Sequence, residues 1–161
     1  MSTSGLEVFD KTLQTTHIWL DEMGQTLGPD RGRSYHALMA VLHALRDMLP
    51  INETAHLSAQ LPMLVRGMYF HEWNPGHATQ SRTRSLEEFL THIQTHLQHM
   101  RPMGADDACR AVFSVLDHHV GAAELDKIKQ ILPEEIRHFW RSMTGAPPPG
   151  RERAAKAESR Y

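Results

Sequence analysis

The sequence predicts an all-α protein of about eight helices, arranged as two related four-helix repeats around one core. Three observations predict this fold. Apolar residues recur at spacings of three and four, no run alternates with period two for long enough to form a strand, and the second half of the chain repeats the pattern of the first. At 161 residues the chain has the size of one domain that buries a sizeable core.

The first repeat spans residues 4–73 and begins with a long helix. Ser4 and Glu7 form an S-x-x-E capping box, which predicts the start of this helix. Gly28 and the proline after it end the helix about five turns later. Its predicted apolar stripe consists of Leu6, Phe9, Leu13, Leu20, Met23 and Leu27.

Three more helices complete the first repeat. A second long helix is expected from about residue 33 to residue 49, because Pro50 stops the pattern there. Asn52 is the expected cap of a short third helix, and Pro62 the expected first residue of a fourth. Their predicted core residues are Leu38, Val41, Leu42, Leu45, Leu57, Val65, Met68 and Tyr69.

The second repeat, residues 85–143, follows a predicted linker at 74–84 that has no helical period. Ser85 and Glu88 form a second capping box. Asp106 is the expected cap of the next long helix, Gly121 its expected C-terminal residue, and Pro133 the expected first residue of the last helix. The predicted core residues are Phe89, Ile93, Cys109, Val112, Phe113, Leu116, Ile128, Ile136 and Trp140.

A shift of 71 positions aligns the two repeats without a gap and gives eight identities in 33 positions. Conservative apolar pairs, such as Leu57 with Ile128 and Tyr69 with Trp140, keep the same register. Because two such units must bury their apolar faces on each other, we expect a single domain over residues 4–143. The polar, proline-rich segment 144–161 is predicted to be a disordered basic tail.

Composition excludes several classes of protein. A net charge of −2 argues against a general binder of nucleic acid or anionic membranes. A mean hydropathy of −0.45 and the lack of a long apolar run argue against a membrane span. The first ten residues lack the pattern of a secretory signal, and Cys109 is the only cysteine. We therefore expect a cytoplasmic protein with Cys109 as a small core residue.

Several long strings resemble a known family. These are YHALMAVLHALRDMLP at 35–50, AHLSAQLPMLVRGMYFHEWNP at 55–75 and ILPEEIRHFW at 131–140. They are similar to the bacterial domain-of-unknown-function family 2267, over about residues 9–140. The resemblance implies an all-helical bacterial protein of globin-like or orthogonal-bundle topology. It implies no activity, cofactor or catalytic residue.

The best candidates for binding a ligand or partner lie at the end of the first repeat. Arg66, Tyr69 and Trp73 are of the residue types that anchor binding surfaces. Arg46 and Asp47 form a second polar pair in a string shared with the family. Alternatively, Tyr69 and Trp73 cover the junction between repeats, Arg66 caps a helix end, and the pair at 46 and 47 is structural.

The sequence contains 12 histidines, which raises the question of a metal site. His92, His96 and His99 are spaced i, i+4, i+7 on one predicted helix, and the first pair has the spacing of helical zinc sites. The alternative is a solvated helix face, since no carboxylate follows the pair. His118 and His119 end a helix, where imidazolium suits the helix dipole.

The sequence favours a non-catalytic binding or interaction module whose groove or seam holds an unknown protein or small ligand. It contains no nucleophile motif and no phosphate-binding glycine loop, and we expect no cofactor. The alternative is a metal-binding protein or metal-dependent enzyme that uses helix-face histidines. A third hypothesis is that the histidines sense acid.

Overall fold

The computed structural model describes residues 3–78, 85–98 and 103–145, and in these ranges the chain forms helices and no strand. Eight helices have eight or more residues, and α5 has four. No helix in the described ranges is both long and apolar enough to cross a bilayer. In chain order the helices are α1 (Glu7–Leu27), α2 (Arg31–Met48), α3 (Ile51–Ala59), α4 (Met63–Phe70), α5 (Pro75–Ala78), α6 (Leu86–Leu97), α7 (Ala105–His119), α8 (Ala122–Ile131) and α9 (Glu134–Thr144). The predicted all-α class is confirmed.

The two helices α2 and α7 form the centre of the molecule. They pack on each other, α1 and α6 pack against both, and α9 packs against α7. Small side chains on both central helices let the backbones approach closely. One continuous cluster of buried apolar residues includes both halves of the chain. The buried alanines of the central helices are Ala37, Ala40, Ala44, Ala105, Ala108 and Ala111.

The helix boundaries recur with the shift found in the sequence. α2 ends 71 positions before α7 ends, α3 begins 71 positions before α8, and α4 begins 71 positions before α9. The packing recurs as well, since α4 packs on α1, α2 and α3 while α9 packs on α6, α7 and α8. That the two halves share one three-dimensional arrangement stays a prediction, which these recurrences support.

The serine side of one of the two predicted capping boxes is present. Ser85 Oγ accepts a hydrogen bond from Glu88 N at 3.2 Å. The prediction of a capping box at Ser4 and Glu7 is wrong, because Leu6 occupies the N-cap position of α1 and no side chain caps the helix. Ser4 Oγ instead donates to the Asp10 carboxylate at 2.7 Å.

Other predicted helix ends are displaced by one or two residues. Pro62 and Pro133 are N-cap residues with extended ψ angles, one position before the first helical residue. Asn52 and Asp106 lie inside the first turns of α3 and α7. Gly121 has a φ of −56° and precedes α8, so it does not end α7 in a left-handed conformation. The α2–α3, α7–α8 and α8–α9 connections each consist of two extended residues, and the α3–α4 connection consists of three residues.

Two predicted irregular segments are only partly described. The linker at 74–84 contains the short helix α5, and its residues 79–84 lie outside the described ranges. α9 extends to Thr144 and ends at Gly145, whose φ is 67°. The rest of the predicted tail and His99 also lie outside the described residues.

The beginning of α1 differs most from its expected place in the core. Phe9 is 49% exposed, and Leu6 and Leu13 are exposed as well, so the buried face begins only at Thr16. In the second half Phe89 and Ile93 are fully buried, because α6 lies against α2, α7 and α9. Periodicity therefore identified the correct face in both helices, but in α1 other helices cover only the part from Thr16 onwards.

We predict that Phe89→Ala lowers the free energy of unfolding by about 3–5 kcal/mol, because it leaves a cavity among fully buried residues. Phe9→Ala is the matched control and should change the free energy by less than about 0.5 kcal/mol. Urea denaturation of both variants provides the measurement. Equal losses would mean that the start of α1 is covered in solution.

Candidate functional site

The candidate site is a cleft between α3 and α8, the helices that meet where the two halves of the chain join. Leu57 on α3 and Ile128 on α8 are both buried. Between the two helices lies an open cleft of about 570 Å³, which we call the seam cleft. Its volume lies within the usual range for small-molecule sites.

The residues that line the seam cleft are related in pairs. Each residue that α3 and its C-cap contribute has a counterpart 71 positions later that lines the other wall. The two walls therefore come from equivalent positions of the predicted repeats. The pairs are Glu53 with Glu124, His56 with Lys127, Ala59 with Gln130, and Gln60 with Ile131.

Each wall has an acidic side chain three residues before a basic one. His56 Nδ1 lies 3.4 Å from Glu53 Oε2, and Lys127 Nζ lies 3.4 Å from Glu124 Oε1. Such pairs on an exposed helix face stabilise the helix by only a few tenths of a kcal/mol. Side-chain exposure ranges from 26% for Glu53 to 67% for Lys127, so these groups remain available to a ligand.

Two residues singled out in the sequence hold the α3 wall in place. Arg66 donates from Nε to the Ser58 carbonyl at 2.8 Å and from Nη2 to the Leu61 carbonyl at 3.1 Å. It thus satisfies carbonyls at the end of α3, as the capping alternative predicted. Tyr69 is buried, and its hydroxyl donates to the Thr54 carbonyl at 3.1 Å. Burial raises the pKa of this phenol, so the hydroxyl stays a donor.

Arg46 ties the end of α2 to the end of α4. Its guanidinium is nearly buried, and Nη1 donates to the carbonyls of Tyr69 at 2.9 Å and His71 at 3.0 Å. Nε donates to Asp47 Oδ1 at 2.9 Å. The same segment includes Glu72, whose φ of 57° is left-handed. Arg46 therefore holds a turn that the backbone does not readily adopt.

Trp73 packs beside this turn. Its ring centroid lies 5.1 Å from that of Phe70, and its Nε1 is buried without a hydrogen-bond partner among the described residues. None of Arg46, Asp47, Arg66, Tyr69 and Trp73 lines the seam cleft. Arg46 contacts Asp47 and the Tyr69 carbonyl, whereas Arg66 and Tyr69 contact α3, and the direct part of all five residues in binding stays a prediction.

The second half has a polar junction at the equivalent place. Asp117, the counterpart of Arg46, accepts from Trp140 Nε1 at 3.1 Å and from Lys129 Nζ at 2.8 Å. One carboxylate thus links α7, α8 and α9. Lys129 also lies 5.0 Å from the centroid of the Trp140 ring.

The predicted histidine face forms a cluster with residues from other helices. The rings of His92 and His96 are edge to face, with their centroids 4.9 Å apart. The centroid of the His96 ring lies 6.4 Å from that of His43 on α2. A pocket of about 220 Å³ lies between His43, His96 and the turn after α4. Its lining includes His36, His43, His71, Glu72 and His96. Metal binding by His92, His96 and His99 stays a prediction, and of these three only His96 lines this pocket, which we call the histidine pocket.

A second cluster was missed at the sequence level. Glu22 on α1 and His118 and His119 at the end of α7 place one potential ligand atom each within 4.8 Å of one another. The adjacent histidines were visible in the sequence. Glu22 was not linked to them because it lies 96 positions before His118.

Fold and site together define an all-helical domain with a polar cleft between two corresponding helices. The model of the family DUF2267, described as an uncharacterized conserved protein, matches residues 16–139, and the chain belongs to this family. The resemblance expected from the sequence is thereby confirmed. No curated protein matches the chain.

We predict that Arg46→Met lowers the free energy of unfolding by about 3 kcal/mol, because it leaves buried carbonyls without a donor. The control is Arg31→Met, which removes an exposed ion pair with Asp21 and should change stability little. Chemical denaturation of the two variants tests this prediction. A loss no larger than that of the control would show that water replaces the guanidinium.

Stability should also decrease at acidic pH through His43. Burial lowers the pKa of His43 below its usual value of 6.5, and His43 Nε2 bonds to the Met68 carbonyl at 2.7 Å. The unfolded chain therefore binds a proton more readily, and stability falls as pH falls below about 6.5. His43→Gln should show a smaller loss between pH 7.5 and 5.5 than the unmodified protein. The control variant His56→Gln changes an exposed histidine and should lose as much stability between these pH values as the unmodified protein. An equal loss of stability in His43→Gln and His56→Gln would contradict the assignment to His43.

Proposed function

We propose that this protein is a non-catalytic binding or interaction module that holds a polar ligand in the seam cleft. The observation that supports this most directly is the pairing of the cleft's lining residues across the 71-position shift. Interfaces between structural units are favoured places for binding sites. The proposal takes the protein to be bacterial and cytoplasmic, as the sequence indicates.

The charges of the cleft indicate the chemistry of the ligand. Both walls present a carboxylate, and each also presents a base, so a ligand that spans them needs groups of both signs. A zwitterionic small molecule meets this requirement, and so does a polar stretch of a partner protein. The exposed lining with its acidic and basic side chains favours a reversible complex formed through hydrogen bonds and ion pairs.

The support beneath the cleft favours binding without large rearrangement. Arg66 and Tyr69 fix both ends of α3, and Asp117 fixes α8 through Lys129. A wall held in this way is preorganised, which reduces the entropy lost on binding. In this proposal Arg46, Arg66 and Tyr69 position the cleft, whereas Asp47 and Trp73 lie outside its lining and have no assigned contact with the ligand.

The chain's only thiol supports a non-catalytic role. Cys109 is fully buried in the middle of α7, and burial raises the pKa of its thiol. A neutral thiol without access to solvent is a poor nucleophile.

The proposal predicts that photo-crosslinking residues placed at Gln60 and Gln130 in the full chain form adducts in cells. Mass spectrometry of the adduct separates a small molecule from a protein. The reversal Glu53→Lys with Glu124→Lys should reduce adduct formation by about tenfold, equivalent to about 1.4 kcal/mol of binding free energy. The reason is that a cationic group of the ligand then meets like charge.

Two controls accompany this experiment. The same crosslinker at Gln25, an exposed residue of α1, should form no such adduct. The reversal Glu7→Lys with Glu87→Lys changes the net charge equally at exposed positions outside the cleft and should leave the adducts unchanged. Adducts of equal yield at Gln25, or adducts insensitive to reversal within the cleft, would contradict the proposal.

A further inference from the structure

A group of metal-ligating side chains lies outside the seam cleft, where the middle of α1 meets the end of α7. Glu22 comes from α1, and His118 and His119 are the last two residues of α7. α1 and α7 pack along each other, so the three side chains are held by two helices of the core. Sites on packed helices are held more precisely than sites on loops.

The two imidazoles face one carboxylate oxygen. His118 Nδ1 lies 2.7 Å from Glu22 Oε1, and His119 Nε2 lies 3.3 Å from the same atom. All three ligand atoms lie within 4.8 Å of one another. A tetrahedral zinc ion with bonds of about 2.0–2.1 Å needs ligand atoms about 3.3 Å apart. Small side-chain rotations therefore suffice to place a metal ion between them.

The surroundings favour a cation at this point. The C-terminal end of a helix presents unpaired carbonyls and a partial negative charge, and α7 ends here. Trp19 is buried and stacks on the His119 ring, with centroids 5.2 Å apart and an interplanar angle of 20°. This stacking restricts the orientation of one ligand, which reduces the entropy lost when a metal binds.

We propose that Glu22, His118 and His119 form a binding site for a divalent transition-metal ion, with zinc the best match. Imidazole and carboxylate ligands suit zinc and its neighbours in the first transition series. Side-chain exposure is 26% for Glu22, 23% for His119 and 66% for His118. The site is thus open on the His118 side, where water or a ligand group completes the coordination.

Metal binding at this site competes with protons. The metal takes the place of the hydrogens between the imidazoles and Glu22, so each ring must be neutral with its ligating nitrogen unprotonated. Zinc affinity should therefore decrease at acidic pH. Neither the seam cleft nor the histidine pocket takes part, and this site can be tested without reference to either.

The test is a zinc titration of the full chain, made without a histidine tag and stripped of metal, against a chromophoric chelator at pH 7.5. The unmodified protein should contain a zinc site that is weakened about 10–100-fold or more in both His118→Ala and Glu22→Gln. His138→Ala, an exposed histidine on α9, is the matched control and should bind zinc as the unmodified protein does. Circular dichroism confirms that each variant is folded, and Co²⁺ absorption provides a second readout of coordination.

Two results would overturn the proposal. One is zinc binding by the unmodified protein that is no tighter than binding by His118→Ala and Glu22→Gln. The other is a tight site that survives in both of these variants and disappears in His96→Ala, which would place the metal in the histidine pocket. A change in stability alone does not count as support, because removing the hydrogen bonds between α1 and α7 produces one without any metal.

Discussion

The buried guanidinium of Arg46 is the interaction on which the first half of the structure depends. A charged group that is only 5% exposed must be fully paired, because an uncompensated buried charge costs several kcal/mol. Arg46 meets this requirement with the carbonyls of Tyr69 and His71 and the carboxylate of Asp47. These bonds determine where α4 ends, and Tyr69 in turn holds α3. The α3 wall of the seam cleft is thus positioned from the end of α2.

The second half meets the same constraint with the opposite charge. Asp117 stands where the first half has Arg46, and it accepts hydrogen bonds from side chains instead of donating to carbonyls. Trp140, in the place of Tyr69, supplies one of these donors. Both arrangements join the end of a central helix to the shorter helices beyond it. The fold therefore requires a satisfied polar junction here, and either sign of charge can provide it.

Local signals made the helices predictable, whereas long-range contacts limited what could be said of the sites. Apolar spacing and prolines located the eight longer helices to within about two residues, because backbone hydrogen bonding in a helix is local, but they missed the short helix α5. Periodicity did not show that Phe9 is exposed, since it identifies a face without showing what covers it. Arg66 and Tyr69 were identified, but their contacts with α3 required the fold. Glu22 was missed because its partners lie almost a hundred positions away.

The paired lining of the seam cleft also bears on how a ligand is oriented. Walls of identical chemistry would hold an unsymmetrical molecule equally well in either of two directions. Here Gln60 on one wall corresponds to Ile131 on the other, and Ala59 corresponds to Gln130. Reversing the molecule would move a polar end from an amide to a butyl side chain, with loss of a hydrogen bond. The difference between these two helices would therefore give the proposed complex a single preferred orientation.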